Sequence, residues 1–440
     1  MRIARWTLTA SIVISLAACG GGGGGPTPTP SAAPAEPANM PPSGPASNTN
    51  VSQANPSALP VANTASNTVP ILVSSAMYET HNLPMTSVKV CAPGTNATTN
   101  CSTIDNVLID TESFGLRLFA SAVPTATLAS LPTQAQTPSG LSIAECAIFA
   151  SGYVWGTVRN ADVAMSGEVA QNVPVQLIAD PSLPVSAPAD CQLNIDYSAP
   201  WLLGANGLLG VGVKSRDCGS QCANTATSGF YYACGSTTCA ATSEPVSQQV
   251  ANPVQFFSVD NNGVVIELPP ITNSGAASVQ GTMVFGIDTQ SNNNLAGTGA
   301  TLLSTDASGD FNATYNHVTY PSSAAFDTGS PEMFFQNAGI AVNSTGFYSP
   351  ASATTQSVAI SGSTAAGTVS ATINFDVASA STLLQSLNYA FNDLAYYLPN
   401  TFEFGLPFFY GRHVYYGIAG TSSSGGGTGP YVAYTSASTG

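Results

Sequence analysis

The chain has 440 residues, of which 44% are hydrophobic and only 7% are charged, and its formal net charge is −15. Lysine and arginine together number 8, so the chain lacks a basic patch that could neutralise phosphates, and nucleic acids are excluded as partners. The length indicates two or more domains, or one large bilobed unit. Few charged residues and many β-branched and turn-forming residues predict a mainly β fold.

The first 19 residues predict a bacterial lipoprotein signal peptide. Arg2 and Arg5 precede a short apolar stretch over residues 8–16, as expected of an export signal. Residues 16–19, Leu-Ala-Ala-Cys, resemble a lipobox in which Cys19 would carry the lipid. Gly20 follows instead of aspartate, which resembles outer-membrane sorting. The expected location is therefore the cell envelope, on the outer membrane and facing the periplasm or the exterior. An ordinary signal peptide that contains a cysteine is the alternative.

Residues 20–67 predict a disordered tether between the lipid anchor and the folded part. Six consecutive glycines, residues 20–25, lead into sequence rich in proline, alanine, serine and asparagine. Such a composition cannot bury enough apolar surface to fold. The lipid would then be the membrane contact, because no other stretch is apolar over the ~20 residues that a spanning helix needs.

From residue 69 onward, short apolar or alternating segments separated by Gly, Pro, Asn and Ser predict a sheet protein with many turns. The segments cover residues 69–73, 87–90, 106–110, 163–165, 173–178, 264–268, 282–287, 301–303, 317–320, 357–360, 368–375, 414–418 and 431–434. One helix is predicted over residues 379–394. Ser379 suits its N-cap, and Leu383, Leu384, Leu387 and Phe391 would share one face.

Eight cysteines remain once Cys19 is assigned to lipid, and an even number in an exported chain favours disulfides. The candidates are Cys91, Cys101, Cys146, Cys191, Cys218, Cys222, Cys234 and Cys239. The sequence does not fix their pairing, although Cys91 and Cys101 are close enough for a local bridge. A zinc site among the last four is the alternative. Their spacing and the lack of a nearby histidine disfavour it, so no metal is expected.

Two short stretches repeat a pattern that can hold a carboxylate rigidly. Residues 107–113 and 324–330 each contain three small or apolar residues followed by Asp-Thr-x-Ser, with Asp110 and Asp327 as the acids. An apolar strand that ends in an acid and a tight, hydroxyl-rich turn fixes the position of that acid. Two such elements could bring the carboxylates face to face, where like charges at close range share one proton.

These residues resemble a pepsin-like aspartic peptidase. Further segments match the layout of that family in order, namely residues 146–178, within which residues 153–156 resemble its flap, and residues 207–212, 281–288 and 404–412. The resemblance spans residues 69–434 and implies a bilobed β architecture, with one lobe over residues 68–290 and a second over residues 291–440. The chain also resembles an uncharacterised bacterial lipoprotein family, one of the domains of unknown function.

The resemblance implies specific roles for the residues of both motifs. Asp110 and Asp327 would hold a water molecule and hydrolyse a peptide or protein bound between the lobes, without metal or cofactor. The expected supporting residues of the two motifs are Thr111, Ser113, Thr328, Gly329 and Ser330. Their threonines would brace the two turns beneath the site, and their serines would bond the outer carboxylate oxygens. Phe149, Tyr153 and Trp155 would belong to a hairpin that roofs the cleft.

Two residues depart from the family pattern. Glu112 stands where the second motif has Gly329, and it adds bulk and a third negative charge. That charge would raise the pKa values of the pair or demand a counter-charge, for which Arg117 is a candidate. Val154 replaces the first glycine of the flap, and a β-branched residue does not easily follow the backbone path of a glycine. A Glu112 side chain that turns out of the cleft would leave catalysis possible, whereas one that fills the cleft would not.

The alternative to an active peptidase is a catalytically inactive pepsin-like binding lipoprotein of the cell envelope. In that pseudo-enzyme the two acids would be hydrogen-bonded relics, and the cleft or the segment 218–239 would bind a partner. An unrelated β protein is the third possibility. A Ser-His-Asp hydrolase fits less well, because the chain has only three histidines and no Gly-x-Ser-x-Gly turn.

Overall fold

The computed structural model of this chain describes residues 64–75, 80–363 and 370–437. The predicted signal peptide, Cys19 and most of the predicted tether lie outside the described residues. Within those residues, no helix is long and apolar enough to cross a membrane. The described part is mainly β, and each strand segment predicted from the sequence overlaps an observed strand. The mainly β prediction is therefore confirmed.

The strands are numbered in chain order. They are β1 (Thr68–Val73), β2 (Pro84–Cys91), β3 (Ser102–Asp110), β4 (Phe114–Phe119), β5 (Ser142–Ile148), β6 (Gly152–Met165), β7 (Glu168–Ile178), β8 (Ile195–Asp196), β9 (Gly207–Val211), β10 (Tyr231–Cys234), β11 (Cys239–Ala241), β12 (Gly263–Leu268), β13 (Val279–Phe285), β14 (Thr301–Ser304), β15 (Phe311–Tyr315), β16 (Val318–Ala324), β17 (Met333–Phe335), β18 (Thr354–Ser361), β19 (Ser370–Val377), β20 (Ala395–Tyr397), β21 (Phe402–Glu403), β22 (Arg412–Gly417), β23 (Ser422–Ser423), β24 (Gly427–Thr428) and β25 (Tyr431–Tyr434).

The helices of the described residues are all short. They are α1 (Thr125–Ser130), α2 (Pro200–Leu203), α3 (Ser220–Asn224) and α4 (Ala380–Leu383), with 3₁₀ turns at Ala120–Ala122, Val246–Gln248, Pro253–Phe256 and Leu406–Phe409. None of them exceeds two turns, so helices contribute little to the framework that positions the site.

The helix predicted over residues 379–394 is wrong beyond its first turn. Only α4 forms, and Leu387, which the prediction placed on the buried face, is 85% exposed. The following backbone bonds to distant segments instead: the N–H of Ala390 donates to Ala276 and the N–H of Phe391 donates to the side chain of Asn82. Tertiary hydrogen bonds thus replaced the helical ones that the apolar spacing favoured.

Six antiparallel strands form one end of a 16-stranded sheet. β1 pairs with β13, β13 with β12, β12 with β22, β22 with β25 and β25 with β14. Strands from the start and from the end of the described chain therefore lie side by side. This sheet joins the first half (residues 68–290) to the second half (residues 291–440), whose boundary as lobes stays a prediction.

Smaller sheets complete the second half, and an aromatic cluster packs beside them. One sheet has the order β16-β15-β18-β19, and another has the order β20-β17-β21. Phe326, the residue before Asp327, stacks on Phe408 with ring centroids 4.2 Å apart and also contacts Phe311 and Phe404. Because these rings are buried, they fix the backbone that leads into the second motif.

All eight candidate cysteines form disulfides. The pairs are Cys91–Cys101, Cys146–Cys191, Cys218–Cys222 and Cys234–Cys239. The local bridge expected between Cys91 and Cys101 is confirmed, and the zinc alternative is wrong because its four sulfur atoms are consumed in two bridges. Four disulfides indicate an oxidising compartment outside the cytoplasm.

Candidate active site

Both Asp-Thr-x-Ser motifs lie in the same kind of local structure. Asp110 ends β3, which is parallel to β9, and β4 follows the motif and is antiparallel to β9. In the second half Phe326 pairs in parallel with Phe404, and β17 follows the motif and is antiparallel to β21. In each half the strands before and after the motif therefore flank one shared segment, which fixes the turn that carries the aspartate.

A glycine in each shared segment allows this close packing. A β-carbon at Gly210 would lie 2.5 Å from the backbone nitrogen of Phe114, and one at Gly405 would lie 2.4 Å from the carbonyl oxygen of Ser330. Real β-carbons do not approach backbone atoms so closely. The Gly-rich segments noted in the sequence are therefore needed where the two motif turns pack on them.

Gly329 brings the two carboxyl groups together. A β-carbon placed on it would lie 2.9 Å from Oδ1 of Asp110 and 3.2 Å from Oδ1 of Asp327. The two carboxyl groups therefore face each other across this glycine, and both aspartates are buried, with exposures of 6% and 8%. Two carboxyl groups in this arrangement repel each other when both are ionised, which favours one shared proton.

Backbone amides of the two turns orient the carboxylates. The N–H groups of Glu112 and Ser113 donate to Oδ1 of Asp110 at 3.0 and 3.2 Å. The N–H group of Gly329 donates to Oδ1 of Asp327 at 2.7 Å. Each aspartate is thus held by its own turn, and neither depends on a mobile side chain for its position.

The two motif threonines tie the turns together. The Thr111 hydroxyl donates to the carbonyl oxygen of Phe326 and accepts from the N–H of Thr328, both at 3.0 Å. The Thr328 hydroxyl donates to the carbonyl oxygen of Ile109 at 2.7 Å. Each threonine therefore bonds the strand that precedes the other motif. These buried bonds fix the separation of the two aspartates.

The motif serines differ from the arrangement that the resemblance implies. Within the described residues, the Ser113 hydroxyl has no hydrogen-bond partner, so its expected bond to the carboxylate of Asp110 is wrong. The Ser330 hydroxyl bonds the carboxyl of Asp327, but it also donates a short hydrogen bond to Oε1 of Glu403. Ser330 thus bonds a second acid, Glu403, in addition to the aspartate of its own motif. In the part of the chain that the structure describes, the Ser113 hydroxyl bonds no such acid.

Glu403 is a site residue that the sequence analysis missed. Its Oε1 accepts a short hydrogen bond from Ser330, and burial raises the pKa of its carboxyl above the ordinary value, although the interactions with Ser330 and Asp327 lower it. Burial, followed by the charges of Asp110 and Glu403, raises the pKa of Asp327 well above its usual range. The sequence held one signal, because Glu403 is a lone charge between Phe402 and Phe404.

Glu112 lies beside the pair, and its side chain turns towards the second half. Its Oε1 is 3.2 Å from the position that a β-carbon of Gly309 would occupy, on the turn that joins β14 to β15. Burial raises the pKa of Glu112 well above its usual range, and the charge of Asp310 adds to the shift ahead of those of Asp327, Glu403 and Asp110. The carboxyl therefore lies against this turn and is electrostatically coupled to the aspartates.

Residues 63–434 match a family described as "Protein of unknown function (DUF3443)". The chain belongs to this family. The expected membership of an uncharacterised family is thereby confirmed, while a search of curated proteins found no match. Among solved structures, the chain is similar to an aspartic proteinase from Irpex lacteus, with 14% identity, coverage of 85% of this chain and 98% of that chain, and a TM-score of 0.43. The roles of site residues in this DUF3443 member must come from its own geometry.

The counter-charge expected from Arg117 comes from a different residue. Arg117 is buried and pairs with Glu145 at 2.5 Å and with Asp217 at 3.5 Å, so its predicted role beside Glu112 is wrong. Lys214 instead donates to the Ser308 hydroxyl at 3.1 Å. Burial lowers the pKa of Lys214, whereas the negative charges of Asp306, Glu112 and Asp310 raise it. Lys214 thus partly compensates the acids around Glu112.

The predicted flap residues pack in two different places. Tyr153 and Trp155 belong to a cluster around the Cys146–Cys191 disulfide. Burial and then the charge of Asp196 raise the pKa of Tyr153. The side chain of Val154 is buried in the adjacent cluster as part of the regular strand β6, so no glycine is needed there. These contacts do not bring Tyr153 or Trp155 to the aspartates.

Among the predicted flap residues, Phe149 packs on the strand that carries the first aspartate. It lies between β5 and β6 and packs on a cluster that includes Leu83 and Leu108. Leu108 is two residues before Asp110 on β3, so it points to the same side of the strand. The tip of the hairpin therefore covers the part of β3 that leads to the first aspartate. Its role as a roof stays a prediction.

Proposed function

We propose that this protein is a pepsin-like aspartic endopeptidase in which Asp110 and Asp327 activate water for peptide hydrolysis. The observation that supports it is the pair of buried carboxyl groups that face each other across Gly329. The backbone amides and the crossed threonine bonds hold this pair in place before any substrate binds. Such preorganisation is what proton transfer at a fixed geometry requires.

The environments of the two acids suggest their roles. Asp327 has a raised pKa and would carry the shared proton. Asp110 accepts two backbone hydrogen bonds, which suit a carboxylate, and would take a proton from the attacking water. The water oxygen then bonds to the peptide carbon while Asp327 donates its proton to the carbonyl oxygen. Transfer of the proton on Asp110 to the amide nitrogen accompanies C–N cleavage, and the diol returns a proton to Asp327.

Cleavage of an unfolded protein substrate by the purified protein, from about pH 3 to pH 8, tests this proposal. We expect cleavage that is lost in both Asp110→Asn and Asp327→Asn, because each variant removes one ionisable member of the pair. Asp105→Asn is the matched control, since Asp105 is an exposed aspartate of the same strand. Absence of cleavage by the folded protein at every pH would overturn the proposal.

A catalytically inactive binding protein is the second candidate. The observation that favours it is the Glu112 carboxyl, which lies against the turn at Gly309 and adds a third buried acid with a raised pKa near the pair. In that case the cleft would bind a peptide or protein without hydrolysing it. Retained peptide binding by both aspartate variants, measured by calorimetry, together with no cleavage by the unaltered protein, would favour this candidate.

The cellular location is part of the proposal. The disulfides support export, and we propose that Cys19 carries a lipid that anchors the protein in the bacterial outer membrane. Metabolic labelling with a fatty-acid analogue should mark the protein but not Cys19→Ser. A protein that is equally labelled in both forms, or in neither, would contradict lipidation at this residue.

A further inference from the structure

Backbone pairing fixes Glu403 next to the second motif. Glu403 ends β21 and pairs with Phe334 of β17, the strand that follows the motif. Its neighbour Phe404 accepts the N–H of Asp327 at 2.8 Å. The backbones of Glu403 and Asp327 are therefore held by ladder hydrogen bonds, so the proximity of the two acids is part of the fold.

The two carboxyl groups share a hydroxyl neighbour. The Ser330 hydroxyl donates to Oε1 of Glu403 and also bonds the carboxyl of Asp327, so the two acids lie on either side of one serine. Two ionised carboxylates have only acceptors and repel each other at close range, so a proton on one of them both supplies a donor and removes the repulsion. Ser330 then supplies the further donor that the remaining carboxylate oxygen needs.

We propose that Glu403 is a positioning residue that shares a proton with Asp327 and so keeps Asp327 as the protonated member of the aspartate pair. This inference rests on the proposed peptidase function. It adds a third carboxyl to the site: Asp110 acts on the water, Asp327 acts on the carbonyl oxygen, and Glu403 stabilises the proton on Asp327. Glu403 itself does not contact the reacting atoms in this scheme.

The other groups around Asp327 favour retention of that proton. Asp110 faces it across Gly329, and its charge raises the pKa of Asp327. The charge of Asp327 in turn raises the pKa of Glu112 in the first motif, whose other charged neighbours include Asp310 and Lys214. Tyr416 on β22 donates to the carbonyl oxygen of Phe326 at 2.7 Å, beneath the pair, and its pKa is raised well above the usual range by burial.

The pH dependence of kcat/KM tests the proposal with three proteins: the unaltered chain, Glu403→Gln and Glu403→Asp. In Glu403→Gln the amide can donate to an ionised Asp327, and the repulsion from a second carboxylate is lost. We expect the alkaline limb of its profile to move to lower pH by about one unit, which corresponds to a tenfold change in proton affinity. Glu403→Asp retains a carboxyl and should shift less.

A readout that does not need turnover separates this inference from the proposed function. Selective ¹³C labelling of glutamate carboxyls allows titration of Glu403 by NMR in the unaltered protein, with Glu403→Gln used to assign the signal. A Glu403 carboxyl that changes protonation together with Asp327, and whose titration changes in Asp327→Asn, supports the shared proton even in a protein that does not cleave peptides. A Glu403 signal that is the same in Asp327→Asn overturns it.

The kinetic test has an equally clear negative result. A lower maximal rate in Glu403→Gln with an unmoved alkaline limb would mean that Glu403 only supports the structure, and the proposal would be wrong. Thermal unfolding shows whether each variant is folded. If Glu403→Gln does not fold, Glu403→Asp and the titration of Glu403 in the unaltered chain decide the question.

Discussion

Gly329 and Glu112 occupy equivalent positions in the two motifs, yet only one of them must be small. Neither residue has the left-handed backbone that favours glycine, so the backbone of the first turn accepts glutamate. Gly329 differs because a β-carbon there would lie 2.9 Å from Cγ of Asp110. At position 112 the side chain instead extends to the turn at Gly309. The fold therefore has room for the Glu112 side chain at the position equivalent to Gly329.

Gly329→Ala should displace the aspartate pair. The added methyl group would lie 2.9 Å from the carboxyl of Asp110, which real β-carbons essentially never show, and 3.2 Å from Oδ1 of Asp327, which is tighter than most real contacts. We expect kcat/KM to fall on the order of 100-fold, the scale reported for small misplacements of catalytic groups. Gly235→Ala is the matched control, because its β-carbon would have no neighbour closer than 3.8 Å. Equal activity of Gly329→Ala and the unaltered protein in a peptidase assay would contradict the geometry.

At the scale of elements, the β14–β15 turn and Lys214 connect the two halves beside the site. Lys214 follows the first shared glycine segment, packs over the ring of Phe114 at 4.7 Å and bonds Ser308 across the interface. It therefore links the first motif to the second half through both an apolar and a polar contact. The surrounding acids make this link sensitive to charge.

Lys214→Met should destabilise the protein more at pH 7 than at pH 4. Loss of a hydrogen bond to a charged group costs roughly 1.5–3 kcal/mol. The acids around Lys214, namely Asp306, Glu112 and Asp310, carry less negative charge at pH 4 than at pH 7, so removal of the cation then leaves less repulsion. Urea unfolding at both pH values measures the difference. Addition of Glu112→Gln should recover part of the loss at pH 7, and strict additivity of the two substitutions would show that they do not interact.

Disulfide loop length predicts unequal contributions to stability. Cys146–Cys191 closes a separation of 45 residues and is buried with aromatic side chains, whereas Cys218–Cys222 closes only 4 residues. Chain entropy assigns about 4 kcal/mol to the longer loop and about 2 kcal/mol to the shorter. Unfolding of the two double Cys→Ala variants under non-reducing conditions should rank them in this order. The reverse ranking would mean that the denatured state or local packing dominates.

Some elements could be predicted from the sequence because their signals are local. The two Asp-Thr-x-Ser turns follow apolar strands, and Gly207–Val211 carries the glycines that those turns pack on. Glu403 lies 76 residues beyond Asp327, and its meeting with that acid depends on the pairing of β17 with β21. The position of Glu112 against the turn at Gly309 depends in the same way on long-range packing. The spacing of residues along the chain therefore predicted the two aspartates but not the charged residues around them.

At the scale of the whole molecule, the sheet that joins the two halves makes the site depend on the complete fold. β1 and β13 from the first half pair with the sheet that continues into β22 and β25 of the second half. The crossed threonine bonds join the same two halves at the aspartates. A substitution that loosens this sheet should therefore reduce activity together with stability.

Buried acids predict that stability declines as the pH rises from about 5 to 8. Burial raises the pKa of Glu244 and of Asp393 to about 7, and that of Glu332 to about 8. A raised pKa means that the folded state binds the proton more tightly than the unfolded chain. Each such acid therefore adds to the free energy of unfolding. Its contribution is full below the pKa of the unfolded chain, near 4, and is lost as the pH rises through the pKa of the folded state. Asp162 and Asp180 have lowered pKa values, so the stability that they contribute is lost only as the pH falls below about 4.

Thermal unfolding between pH 3 and pH 9 measures this dependence. We expect the highest Tm near pH 4–5, since the lowered pKa values of Asp162 and Asp180 cost stability below that range and the raised pKa values of the buried acids, Glu244, Asp393 and Glu332 among them, cost it above. Asp393→Asn should flatten the decline between pH 5 and pH 8, because asparagine has the same size but no proton to lose. The exposed Asp105→Asn is the control and should leave the profile unchanged. A Tm that rises from pH 5 to pH 8 would show that these acids are ionised in the native state without cost.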